Sequence, residues 1–343
     1  MLRIYFFIFL SAFILLRPHN LKTGMIYSGD DWSYFAHSSA IAFGQFPHYD
    51  KEVWHIGQGI PFHPSGPGVL ASPFVFLFSL IDRLSGSDIV LQRTAQNIPG
   101  SWSLFGFTFA TVFYFLAGCS FLFYGLKKHV SERSASWAVI LMVVLQGAPL
   151  FAFRRPVFSH IYEFFIQSFL VFILLTILKS SRSLKWKQIF FIGLAVGLTI
   201  LVRYNNIFMA LAWPVIFAIW GMKEYSIKEK ALRVSVIYFM AALLIIFFKF
   251  LPEMFVTVSG VDVSDRLLGA KLFSVFFQRL GHIFIGLDWG LIYTAPFLLI
   301  GLICLCFIHR ATIVPFRWLS LLLLVNFAII MQWMTQGGWY GYR

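Results

Sequence analysis

Asp30 and Asp31, two adjacent carboxylates, are the residues of this chain best suited to catalysis. They follow Ser28 and Gly29, and this combination predicts the start of a helix because the helix dipole favours carboxylates in the first turn. Acidic pairs at helix starts are common structural features, so the pair alone does not establish a site. Its position favours one, since the pair lies just beyond the first apolar block, in an aromatic-rich loop, where an acid can work at the lipid–water boundary.

The residues that follow the pair predict an amphipathic helix. One face would carry Trp32, Phe35, Ser39 and Phe43, and the other Asp30, Tyr34, His37 and Ile41, with Asp31 at its flank. We therefore expect this helix to lie on the bilayer surface with the carboxylates at its N-terminal end. Tyr34 and His37 share a face with Asp30 and are candidate substrate-binding residues.

A second motif, His63-Pro64-Ser65-Gly66-Pro67-Gly68, predicts a rigid non-helical turn. Such a turn is as consistent with a purely structural role as with lining a substrate, and His63 is a candidate substrate-binding residue. The apolar stretch 68–81 contains Pro73 and is short for a span, so we expect a second surface helix there. His55 and His63 lack a recognisable ligand spacing, so we predict no metal site and no cofactor, and the sequence does not support a divalent-metal requirement.

Basic residues at the predicted membrane boundary form the third candidate group. Arg154, Arg155 and Arg203 can extend to lipid headgroups, which is the default for a charge near a span end. Arginine also binds phosphate through a planar fork of donors, so these three are candidate lipid-phosphate ligands. Lys249 and Glu163 fall inside predicted spans and are functional candidates for that reason, with Arg154 or Arg155 as the expected partner of Glu163.

The elements that position these residues are membrane helices. Of the 343 residues, 59% are hydrophobic and 12% charged, and the apolar residues come in blocks of about twenty, the length that crosses a bilayer as helix. We predict an all-α polytopic bundle and a single membrane domain, 1–343, of about nine spans. The spans are 3–16, 101–126, 134–150, 160–178, 188–203, 206–221, 232–251, 288–308 and 316–334. Cys119, Cys304 and Cys306 lie inside apolar blocks and are expected to be core thiols.

The distribution of charge predicts the orientation. The net charge is +13, but most Lys and Arg residues lie in short loops between the apolar blocks, which argues against nucleic acid as a partner. By the positive-inside rule these loops lie in the cytoplasm. They are 127–133, 179–187, 222–231 and 309–315. The N-terminus then lies inside, with 3–16 an uncleaved first span. The long segments 17–100, which holds the acidic pair, and 252–287 form extracytoplasmic loops, the first with juxtamembrane helices.

Five segments together resemble membrane glycosyltransferases of the GT-C fold, relatives of the protein O-mannosyltransferases and of the aminoarabinose transferase of lipid A. They are SGDDWSYFAHSSAIAFGQFP, HPSGPGVLASPF, GLAVGLTILVRYNN, GLDWGLIYTAPFLLIGL and QGGWYGYR. The resemblance implies an inverting transfer of a sugar from a polyprenyl-phosphate donor to a glycan, lipid or protein hydroxyl. It implies Asp30 as the base, with Asp31 as the fallback, and Arg203 as a ligand of the lipid phosphate. It also implies an integral protein of the bacterial inner membrane with an extracytoplasmic site.

The chain departs from that family in two respects. Members usually continue past the GGWYGYR segment with further spans, so we expect a shortened form of the family. The protein O-mannosyltransferases usually carry Asp-Glu where this chain has Asp30-Asp31, and they carry a large soluble domain, so the resemblance to them does not favour a protein acceptor.

Two other classes of function compete with the enzyme. A transporter or flippase of lipid-linked sugars would also meet phosphate with basic residues, but it should place charges at the midplane and show two related halves. The acids of this chain cluster in one outer loop instead. A non-catalytic assembly subunit would use the same loop to bind a partner protein.

Overall fold

The computed structural model describes residues 1–15, 30–49, 61, 63–86, 102–145, 148–154, 159–180, 183–255, 296–307 and 314–321. These residues are 87% helical and include no strand, so the predicted all-α class is confirmed for them. The α-helices are Leu2–Leu15 (α1), Asp30–Ala42 (α2), Gly66–Leu84 (α3), Trp102–Leu126 (α4), Glu132–Leu145 (α5), Ser159–Ser180 (α6), Trp186–Val202 (α7), Ile207–Ile216 (α8), Ile227–Ile245 (α9), Leu251–Phe255 (α10) and Pro296–Phe307 (α11). Leu150–Arg154, Phe217–Gly221 and Ile246–Phe250 are π-helical, and Tyr204–Asn206 is a 3₁₀ turn.

Five helical stretches in the described part of the chain are long and apolar enough to cross a bilayer, which indicates a lipid environment. They are Gly66–Leu84, Trp102–Leu126, Ser159–Ser180, Tyr204–Gly221 and Ile227–Met254. The last four coincide with predicted spans. The apolar helices α1 and α7 are shorter, with 14 and 17 residues, and the predicted number of about nine spans is therefore not confirmed.

Helix α3 differs from the surface helix expected over 68–81. It has 19 residues, it includes Pro73, and it packs lengthwise against α4. The Tyr114 hydroxyl donates to the carbonyl of Leu70 at 3.0 Å, while Asp82 at the other end accepts from the backbone of Trp102. The two helices are therefore antiparallel. Pro67 lies in the first turn, where its missing N–H costs no hydrogen bond, so the helix starts at the HPSGPG segment itself.

Asp82 joins these two helices. Its carboxylate is buried and accepts from the backbone N–H groups of Trp102 and Ser103, each at 2.8 Å, and from the Ser103 hydroxyl at 2.5 Å. These are N–H groups of the first turn of α4, which no carbonyl within the helix can satisfy. Asp82 therefore caps α4 from the neighbouring helix.

Small residues set the spacing of α7 and α9. A Cβ on Gly193 would lie 2.7 Å from the Cβ of Met240, and one on Gly197 would lie 3.1 Å from the backbone of Ala241. Two glycines four residues apart thus form the flat surface on which α9 packs. The glycines of GLAVGLTILVRYNN therefore have a packing role, and they fix the position of the helix end that precedes Arg203.

The chain divides into two compact units, Met1–Tyr204 with Phe217–Ser259 and Asn205–Ile216 with Gly260–Arg343. In the first unit, the amino terminus lies 3.9 Å from Glu132, and Lys127 pairs with Glu132 at 2.6 Å. The N-terminus and the loop 127–133 are therefore at the same end of this unit, in agreement with their predicted placement on one side of the membrane. In the second unit, the Arg317 side chain donates to the carbonyl of Leu305 at 2.6 Å.

Arg233 connects two basic loops of the first unit, 179–187 and 222–231, through its contacts with both. Its guanidinium is buried between the rings of Tyr225 and Trp186, at 3.8 and 4.5 Å from their centroids. It donates to the carbonyl of Leu184 at 2.9 Å, an oxygen that also accepts from the Tyr225 hydroxyl. These contacts give the buried cation a structural role, distinct from that of the cations described below.

Candidate functional site

Helix α2, which begins with the acidic pair, is enclosed by other elements. Tyr34 and His37 are buried, and so are Phe35 and Ser39 on the face expected to be apolar. Both predicted faces are therefore covered, and the expectation of an amphipathic helix on the bilayer surface is wrong for these residues. Small side chains allow this close packing, and the hydroxyls of Ser38 and Ser39 donate to the carbonyl of Phe35 within the helix, so no polar partner is needed outside it.

Two glycines of the HPSGPG motif make the closest contacts in this region. A Cβ on Gly68 would overlap the Cβ of His37 and lie 2.8 Å from the backbone nitrogen of Ser38. A Cβ on Gly66 would lie 2.5 Å from the backbone of Leu201 and Val202. The start of α3 is thus in contact with α2 on one side and with the end of α7 on the other, which only glycine permits at both positions.

His37 connects α2 to two irregular segments. Its Nε2 lies 2.9 Å from the carbonyl oxygen of His63, and because a carbonyl can only accept, Nε2 carries the proton. Its Nδ1 then accepts from the Tyr49 hydroxyl at 2.5 Å. Burial lowers the pKa of His37 to about 4, and the charges of His63 and Lys249 act in the same direction. His37 is therefore a neutral imidazole that fixes the turn 43–49 and the segment around His63.

His63 also contacts α2 through its own side chain. Its Nδ1 lies 2.9 Å from the hydroxyl of Ser33, and its ring packs edge-on against Tyr34 with the centroids 5.9 Å apart. Ser33 and Tyr34 lie two and three residues after Asp31 in the sequence. His63 and Tyr34, both predicted site residues, therefore hold the first turn of α2 in place.

Arg203 follows α7 directly and faces the start of α6. Its Nη1 lies 3.3 Å from the Glu163 carboxylate and 3.4 Å from Nδ1 of His160. Glu163 was expected to pair with Arg154 or Arg155, whose side chains lie outside the described part of the chain. Among the described residues Glu163 pairs with Arg203, because α6 and α7 are adjacent. The Arg203 side chain keeps 38% of its surface exposed, so the guanidinium remains accessible to a ligand.

Lys249 and Glu253 form a second ion pair near Tyr204, the residue after Arg203. Lys249 Nζ lies 3.0 Å from the Glu253 carboxylate and 4.5 Å from the Tyr204 ring centroid. The turn 43–49 meets the same stretch, since the ring of Phe46 packs 5.2 Å from that of Phe247. Burial raises the pKa of Tyr49, and Tyr204 adds to that shift, so the phenol of Tyr49 stays protonated and continues to donate to His37.

For the remaining predicted site residues, the structure describes only the backbone or does not describe the residue at all. Asp30 and Asp31 form the first turn of α2, and Arg154 ends the π-helical turn Leu150–Arg154. The side chains of these three residues, and the whole of Arg155 and His55, lie outside the described part of the chain. Within the residues that are described, no group of three His, Cys, Asp or Glu side chains is arranged to hold a metal ion.

The first unit thus brings together three segments that are far apart in the sequence. They are the helix that begins with Asp30, the segment 63–68 with the start of α3, and the end of α7 with Arg203. No family model, curated protein or solved structure matches the chain.

Several residues of this region were not predicted from the sequence, among them Tyr49, Tyr204 and Glu253. Glu253 follows Lys249 by four residues, a spacing at which opposite charges meet on a helix, so that pair could have been found. Tyr204 adjoins Arg203 and could have been included with it. Tyr49 gives no such signal, because it reaches His37 through an irregular turn in which it adopts a left-handed backbone conformation, with φ of 48°.

Proposed function

We propose that the protein is a membrane glycosyltransferase that moves a sugar from a polyprenyl-phosphate donor to a hydroxyl group of a glycan, lipid or protein acceptor. Asp30 is the general base, with Asp31 beside it, and Arg203 binds the phosphate of the donor. The active site faces the extracytoplasmic side of a bacterial inner membrane, the side opposite the Lys-rich loops.

The requirements of the reaction match these residue types. The leaving group is a phosphate, which is stable as an anion, so the site needs no general acid at that oxygen. It needs a base for the acceptor hydroxyl and fixed positive charge at the departing phosphate. A single displacement of this kind inverts the anomeric carbon.

The contact of the start of α3 with both α2 and α7 is the observation that carries the proposal. The backbone of Leu201 and Val202 lies against Gly66, and the backbone of α2 lies against Gly68, two residues later in the same helix. The helix that begins with the acidic pair and the residue before Arg203 are therefore fixed to one short rigid segment. A carboxylate base and a phosphate-binding guanidinium need such a common support to keep their separation during the reaction.

The exposure of Arg203 gives further support. A guanidinium that served the fold alone would be expected to be enclosed, as that of Arg233 is, whereas Arg203 combines an ion pair with an accessible face. Glu163 and His160 both contact Nη1 of this guanidinium, while 38% of the Arg203 side chain stays exposed. A lipid phosphate can therefore approach it from the bilayer boundary.

Transfer of a labelled sugar by purified protein in proteoliposomes tests the proposal. The donor is a polyprenyl-phosphate sugar and the acceptors are a glycan, a lipid and a peptide, each supplied on the inside or the outside of the vesicle. We expect transfer to a hydroxyl acceptor on one side only. Movement of the donor between leaflets without transfer would instead indicate a transporter, and the absence of both activities would indicate an assembly subunit.

A further inference from the structure

The pair formed by Lys249 and Glu253 is the strongest feature that the proposed function leaves unused. Lys249 lies in the π-helical stretch Ile246–Phe250, within a span of which 11% is buried. Its Nζ lies over the ring of Tyr204, 4.5 Å from the ring centroid, and is paired with Glu253 at 3.0 Å. A cation inside a membrane span is costly, and π-helical turns occur frequently at functional sites, so the pair calls for a ligand as well as for a partner.

Tyr204 links Lys249 to Arg203. Its ring contacts Lys249, and Arg203 precedes it in the chain. Each of the two cations is paired with a carboxylate in the described part of the chain, and each side chain remains partly exposed, at 29% for Lys249 and 38% for Arg203. Two partly exposed cations connected through one residue can bind an anion that carries more than one charge.

We propose that Lys249 binds the negative charge that develops on the leaving phosphate, while Arg203 binds the donor before reaction. This inference rests on the proposed transferase function and names a further catalytic residue for it. The donor is a phosphodiester with one negative charge. As the acceptor oxygen bonds to the anomeric carbon, the bond from that carbon to the phosphate oxygen breaks, and its electron pair stays on the phosphate. The acceptor proton passes to Asp30.

The product is a polyprenyl phosphomonoester, whose charge approaches −2 at neutral pH because the second pKa of such a phosphate is about 6. One cation balances the donor, and the second is needed only as the bond breaks. Lys249 therefore contributes more to the transition state and to product binding than to donor binding. The lipid-facing surface of its helix, where Phe247 and Phe250 are 49% and 48% exposed, lets the phosphate of a bilayer lipid reach it.

The test uses the full-length protein in nanodiscs and the probe geranylgeranyl phosphate, with geranylgeraniol and inorganic phosphate as comparisons. Lys249→Gln should weaken binding of geranylgeranyl phosphate about 10- to 100-fold, the effect of losing one charge-assisted hydrogen bond. Glu253→Gln should strengthen binding of geranylgeranyl phosphate, because a carboxylate that competes for Lys249 is removed. A misfolded variant would bind more weakly, so misfolding cannot explain stronger binding. Lys228→Gln is the matched control, since this exposed lysine lies on the same helix about 30 Å away, and it should leave binding unchanged.

Kinetics of sugar transfer distinguish this inference from the function on which it rests. Lys249→Gln should lower kcat about 10²-fold, as loss of one transition-state donor does, with little change in the KM for the donor. If the wild type transfers sugar and Lys249→Gln shows the same binding and the same kcat as the wild type, the inference is overturned and the proposed function stands. Wild-type protein that binds the probe through Lys249 but transfers no sugar would overturn the function. Equal binding of inorganic phosphate and geranylgeranyl phosphate would exclude a lipid phosphate as the ligand.

Discussion

Replacing Gly68 with alanine tests whether α2 must lie against α3 for the site to form. The added Cβ would overlap the Cβ of His37 and lie 2.8 Å from the nitrogen of Ser38 and 2.9 Å from the oxygen of Tyr34. None of these atoms belongs to the flexible end of a side chain, so α2 must move as a whole. Overpacking of this kind costs about 1–3 kcal/mol, and a displacement of about 1 Å at the base would lower the rate of transfer about 10²-fold.

The assay compares thermal unfolding and sugar transfer of Gly68→Ala with those of Gly301→Ala. Gly301 lies in helix α11, and a Cβ there would meet nothing within 4 Å. We expect Gly301→Ala to match the wild type in both measurements and Gly68→Ala to fall in both. A Gly68→Ala variant as stable and as active as Gly301→Ala would refute the close packing of α2 on α3.

The other structural predictions concern Asp82 and His37. Asp82→Ala should lower the free energy of unfolding by about 3 kcal/mol, because three donors, two of them buried, lose their acceptor. Ser103→Ala should cost less. Denaturation in mild detergent measures both variants, and equal stability of Asp82→Ala and wild type would contradict the capping role. His37 has a pKa of about 4 in the fold against an ordinary value of 6.5, so between these pH values only the unfolded chain takes up the proton. The free energy of unfolding should therefore fall by up to about 3 kcal/mol as the pH drops through this window. In His37→Gln, which can form similar hydrogen bonds without titrating, that loss should disappear, and an identical pH profile in the two proteins would exclude a neutral buried imidazole.

Much of the helix placement could be predicted because an apolar block of membrane length determines it directly. The spans predicted at 101–126 and 160–178 correspond to Trp102–Leu126 and Ser159–Ser180. Helix α3 was not predicted as a candidate span because Pro73 and the glycines at its start are poor helix formers in water. Inside a bundle a proline is tolerated, and the glycines allow neighbouring backbones to approach.

The burial of α2 could not be predicted from the periodicity of its polar and apolar residues. Periodicity separates a polar face from an apolar one, but it does not show that a second helix covers the polar face. That depends on Gly68, which is remote in the sequence and accommodates the Cβ of His37. The partner of Arg203 was missed for a similar reason, since Glu163 lies on another helix and only the packing of α6 and α7 brings the two together.

Sugar transfer by Asp30→Asn under donor-saturating conditions is the most direct test of the transferase account. Asparagine keeps the shape of the side chain and removes the base, so the rate should fall at least about 10²-fold while donor binding is preserved. Asp31→Asn should fall less, and Glu132→Gln, an exposed residue paired with Lys127 in the loop 127–133, should not change. Full transfer activity in the Asp30→Asn protein would contradict the account.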